Sequence, residues 1–137
     1  MDDAIIFLGT GGDTGVITKL VRGCGGVVLR LSGNQFHLDP GPGALLLSYS
    51  SGVNPRETVA LLLSQDHTYT ANDINVMISA MTLDGLDPYG VLLTPQSVLS
   101  GGNVVITKDH QKMLERAVAF KPGSKVGINE VDITGVP

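Results

Sequence analysis

A β-sheet with helices packed on it, an α/β fold, is predicted by three features of the sequence. Strand-like and helix-like segments alternate along the chain. Several of the strand-like segments are unbroken apolar runs, the pattern of strands covered on both faces. Polar or glycine-rich loops follow the runs at 4–8, 35–38 and 58–63, at the strand ends where α/β sheets gather their sites.

The elements follow in order. Residues 4–8 are a continuous apolar run, and the glycine-rich loop 9–15 follows it. Residues 26–31 read as a second strand. Ser32-Gly33-Asn34-Gln35 supplies turn chemistry, because Gly and Asn tolerate positive φ, and 35–38 return as the partner strand. Asp39-Pro40-Gly41-Pro42-Gly43 stops that strand, since its prolines interrupt a ladder or a helix. Residues 44–50 suit a short helix. Residues 58–63 form another apolar strand, followed by the polar stretch 64–71. Asn72 is the expected N-cap of the next helix. Ile74, Met77, Ile78 and Met81 stand at i, i+3, i+4 and i+7, one face of an amphipathic helix. Residues 90–94 read as a strand and 95–99 as a turn or short helical piece. Residues 109–120 are expected to be helical, burying Met113, Leu114, Ala117 and Val118, with Pro122-Gly123 as the stop. A closing hairpin is expected from 125–128 and 130–134 around Asn129.

Composition narrows the function classes. The chain has 137 residues, 42% hydrophobic and 16% charged, which excludes intrinsic disorder and points to one domain over 1–137. The single cysteine, Cys24, excludes an intrachain disulfide framework and a cysteine-rich zinc module, and is compatible with a cytoplasmic location. A formal charge of −4 argues against a nucleic-acid partner. No apolar run approaches the ~20 residues of a membrane span, so no membrane partner is expected. The acidic start, Met1-Asp2-Asp3, is unlike a signal peptide.

Three loops carry candidate chemistry. In 9–12, Gly9-Thr10-Gly11-Gly12 after a strand suggests a nucleotide loop, but the third glycine of G-x-G-x-x-G would fall on Thr14, and no Gly-Lys-Ser/Thr follows. A tight turn is the plainer reading. In 38–43, Asp39 sits at a rigid corner, either as a structural Asx turn or in a catalytic role. In 64–73, Gln65, Asp66, His67, Tyr69, Thr70 and Asp73 crowd a strand end.

With these loops in order, the sequence resembles the metallo-β-lactamase superfamily. Phe7-Leu8-Gly9-Thr10-Gly11-Gly12 is similar to its first strand and glycine loop, and Arg22 with Gly25-Gly26 to the entry of its second strand. Leu38-Asp39-Pro40-Gly41-Pro42-Gly43 is similar to its Asp-bearing strand end, and 59–64 to the strand that delivers its metal motif. The resemblance implies the first half of an αββα sandwich: a mixed β-sheet with helices on its outer face. It also implies metal-dependent hydrolysis, because the family's His-x-His-x-Asp-His motif holds zinc with an open position for water. Here the motif positions are Gln65, His67, Tyr69 and Thr70, so only His67 matches.

Three readings follow. In the first, the chain is a degenerate, non-catalytic structural or interaction module that needs no cofactor. Its bare sheet face is then covered by a second copy in a homodimer or by a partner chain. In the second, it is a phosphodiester or ester hydrolase using zinc or another divalent cation, completed by a second chain. His67 would be one ligand, Asp66, Asp73 and Asp39 possible oxygen ligands to a hard cation, and Asp39 an orienting group. In the third, the old cleft binds a small molecule without metal. His67 is otherwise expected to bond Asp39 or Asp73, and Tyr69 to cover the old metal pocket.

Overall fold

A computed structural model describes residues 1–19, 22–100 and 104–137. Its centre is a six-stranded mixed sheet. Strands β1 (Ala4–Phe7), β2 (Val27–Leu31) and β3 (Asn34–Leu38) form an antiparallel meander. Parallel strands β4 (Thr58–Leu62), β5 (Val91–Thr94) and β6 (Arg116–Ala119) complete it in the order β1-β2-β3-β4-β5-β6. The β2–β3 turn takes positive φ at Ser32 and Gly33, the backbone a tight hairpin requires. The parallel connections need crossovers, and helices supply them.

The strand register assigns each residue to a face. Val28, His37, Leu61 and Leu92 align across neighbouring strands on one face. Against it pack α2 (Ala44–Ser50) and α4 (Ile74–Thr82). Ile74, Met77, Ile78 and Met81 are all fully buried, so the apolar stripe read from the sequence is the stripe that docks. Asp73, not Asn72, occupies the N-cap position of α4, and Asn72 instead closes the short α3 (Thr68–Ala71).

The opposite face carries Ile5, Phe7, Leu29, Phe36, Ala60, Leu62 and Leu93 in register. A separate hairpin, β7 (Lys125–Ile128) and β8 (Val131–Thr134), lies on part of it through Val126, Ile128, Val131 and Ile133. The part over β1 stays open: Ile5 is 64% and Phe7 65% exposed.

One element differs from expectation. The helix expected over 109–120 is a six-residue helix, α6 (Lys108–Met113), followed by β6. Met113, Leu114, Ala117 and Val118 do fit helical spacing, and Ala, Arg and Lys favour helix. The outer side of β5 outweighs that preference: Arg116–Ala119 pairs along it in parallel register, and Val118 and Ala117 then fall on opposite faces. Tertiary pairing overrides local propensity here.

Candidate functional site

The site lies where β1, β3 and β4 end. The Asp39-Pro40-Gly41 corner, the loop after β4 and the glycine loop after β1 meet there. Asp39 takes a left-handed backbone, φ 50°, which aims its carboxylate across to β4. The Ser64 N–H donates to Oδ1 at 2.7 Å and the Ser64 hydroxyl to Oδ2 at 2.6 Å. Both oxygens of Asp39 therefore tie the end of β3 to the end of β4. Gly41 is obligatory in this corner, because a Cβ there would run into the carbonyl oxygens of Tyr69 and Cys24.

His67 caps α3. Its Nδ1 accepts from the Tyr69 N–H at 3.2 Å, and its ring tilts against the Tyr69 ring with centroids 4.9 Å apart. The bond is local, and among the described residues the bond to Asp39 or Asp73 expected from the sequence is not made. The cap also sets the tautomer: with the Nδ1 lone pair engaged, the neutral ring carries its proton on Nε2. Asp73 is engaged as well, its Oδ2 accepting from the Leu45 N–H at 3.2 Å and its Oδ1 from the Asn72 amide at 3.1 Å. Gln65 is exposed and Asp66 half-buried on the same loop, and the Thr70 hydroxyl donates to the His67 carbonyl at 3.0 Å.

A cleft of about 340 Å³ opens beside these groups, lined by Gly9, Thr10, Cys24, Asp39, Tyr69 and Thr70. Tyr69 stands in its wall. The Cys24 thiol donates to the Tyr69 carbonyl at 3.2 Å, and burial, with the Asp39 carboxylate adding to it, pushes the thiol pKa up. A thiol held protonated in this way is a poor nucleophile.

His37, which no motif of the sequence marks, is buried in the core behind the site. Its Nε2 lies 2.7 Å from the Gly25 carbonyl, whereas the buried Nδ1 has no partner among the described residues. Nε2 is thus the donor and the ring is neutral. Burial pushes its pKa down, against the opposing pull of the Gly25 bond and of Asp39 and Asp73. The strand alternation, which puts residue 37 on the helix side, was the signal available for it.

The sheet order and its helices are those of a known architecture. The crystal structure of the metallo-β-lactamase fold protein YhfI from Bacillus subtilis superposes with a TM-score of 0.61, over 80% of this chain and 42% of that one, at 18% identity. The chain has the metallo-β-lactamase fold over the part it spans. The protein MJ1374 of Methanocaldococcus jannaschii, described as uncharacterized, is 30% identical over 132 residues, 94% of this chain and 50% of that protein. The chain thus spans about half the length of the curated relative it matches. No family model matches it.

The metallo-β-lactamase fold implies a metal, and the residues present do not fit one. Among the described residues, no three His, Cys, Asp or Glu side chains come together as a group that could hold an ion. Zinc sites draw on His, Cys and carboxylate donors, and the loop offers Gln65, Tyr69 and Thr70 at three motif positions. To bind through Nε2, His67 would have to move its proton to Nδ1 and give up the cap on α3.

Proposed function

We propose that this chain is a metallo-β-lactamase-fold module without hydrolytic chemistry of its own, acting as a structural or interaction part of a cytoplasmic assembly. The observation that carries this reading is the engagement of the donors at the strand ends. Asp39 is bound by Ser64, Asp73 by Leu45 and Asn72, and His67 by Tyr69. Asp39 and Asp73 fasten one segment to another, and His67 caps the short helix beside them.

A second copy of the chain is the partner in this reading. Support comes from the open face over β1, where exposed Ile5 and Phe7 continue the apolar surface of Leu29 and Phe36. Two such faces packed about a twofold axis bury each other, and closed twofold dimers are the commonest assembly.

Metal analysis tests the chemical part. Protein purified without chelator is expected to hold no stoichiometric metal and to keep its melting temperature when chelator is added. Stoichiometric zinc, iron or manganese, lost on His67→Ala, would favour a hydrolase completed by another chain. Sedimentation tests the partner: a dimer that Phe7→Asp dissociates is expected, and a monomer at micromolar concentration argues against it.

A further inference from the structure

Of the two edges of the central sheet, β1 belongs to the candidate site and β6 lies at the opposite end of the strand order. Among the described residues, no strand pairs with the outer side of β6. The Arg116 N–H donates to the Gly90 carbonyl and the Phe120 N–H to the Thr94 carbonyl, so these residues face inward to β5. Alternation along the strand then turns the N–H groups of Ala117 and Ala119 outward, toward solvent. Beside this edge runs a groove of about 370 Å³, between β6 and α6. Lys108, Gln111, Lys112, Leu114, Arg116 and Ala117 line it, together with Glu115.

Charge gathers at the same place. Residues 108–125 hold five of the nine Lys and Arg side chains but only two of the thirteen carboxylates, in a chain of net charge −4. Lys108 and Lys112 stand one turn apart on α6, and both are exposed, as is Arg116. Cations on a sheet edge discourage pairing with an identical edge, because like charges would meet. The same cations favour a strand of opposite charge.

We infer that the outer edge of β6 is a docking site for an extended acidic segment of a partner protein, which adds to the sheet as a seventh strand and sets its carboxylates against Lys108 and Lys112 on the α6 side. Backbone pairing with Ala117 and Ala119 supplies the binding, and the cations select the sequence. Only alternate side chains of an added strand face α6, so the segment carries its Asp or Glu at every second position.

The probe is a fluorescein-labelled peptide of alternating Glu and Thr, followed by anisotropy on the full chain. Saturable binding that weakens as salt is raised is expected. A peptide of alternating Gln and Thr is expected to bind about tenfold more weakly, as is the acidic peptide to Lys108→Glu/Lys112→Glu, a surface change that leaves the fold intact by circular dichroism. The Glu–Thr peptide methylated at every backbone nitrogen has the same charge but cannot donate to the edge, and is expected not to bind. Absence of binding by the unmethylated Glu–Thr peptide would mean that the cations only guard the edge. Equal binding of the methylated peptide would mean loose polyanion attraction. Either result overturns the inference.

Discussion

Replacing Asp39 by Ala tests whether that carboxylate is a fastening or part of a reactive centre. The side chain accepts two short hydrogen bonds from Ser64, on the backbone N–H and on the hydroxyl. Hydrogen bonds to a charged group contribute about 1.5–3 kcal/mol each, with the low end suited to a half-exposed pair. Ala at φ 50° adds about 1 kcal/mol of backbone strain that Asp tolerates better. Some of the loss is recovered as water solvates Ser64, so Asp39→Ala is expected to cost about 3 kcal/mol. For a chain of this size that lowers Tm by roughly 10 °C. Asp39→Asn keeps an acceptor for the Ser64 N–H and the left-handed backbone, and is expected to lose about half as much. Ser64→Ala removes only the hydroxyl and is expected to cost about 1 kcal/mol, with a coupling of similar size in the double-mutant cycle. Urea unfolding of the parent and the four variants measures all of these. An Asp39→Ala variant within about 0.5 kcal/mol of the parent would refute the reasoning, since surface changes without structural role fall in that range.

Three further outcomes follow from the packing. Burial lowers the His37 pKa below its usual 6.5, so the unfolded chain binds the proton more readily. Its contribution is present in full above pH 6.5 and declines as pH falls below that value toward the lowered folded-state pKa; urea titrations across pH 7 to 5 should show this slope, and His37→Gln should flatten it. Gly41→Ala drives a methyl into the Tyr69 and Cys24 carbonyls and is expected to cost about 3 kcal/mol or more, read by thermal melting; a loss below about 1 kcal/mol would show that the corner can move. Met77→Ala empties a fully buried position on α4 and is expected to cost about 2–5 kcal/mol in the same assay, whereas exposed Val76→Ala should be nearly neutral.

Much of the fold was legible because hydrophobic period and turn chemistry act locally. The stripe Ile74, Met77, Ile78 and Met81 states a helix face without help from the rest of the chain, and all four are buried. The runs that became β4 and β5 were readable for the same reason. The strand β6 was not. Its side chains suit a helix, and only the open side of β5, distant in sequence, makes Arg116–Ala119 extended. The site was legible as a place, since the strand ends and their polar loops are marked by Pro, Gly and Asp. Its connections were hidden. Whether Asp39 meets His67 or Ser64 depends on a left-handed φ and on the β3–β4 register, neither of which any local pattern encodes. The cap from His67 to Tyr69 follows from a short helix that the loop composition did not announce.

The bond from the Tyr69 N–H to the His67 ring has an evolutionary corollary. Reinstating histidines and an aspartate at 65, 69 and 70 would supply donors but leave the Nδ1 of His67 committed to the Tyr69 N–H. Offering the second ring nitrogen to an ion would surrender that bond, a loss of about 1 kcal/mol for a helix cap. A route back to metal chemistry would thus give up a cap as well as regain its ligands.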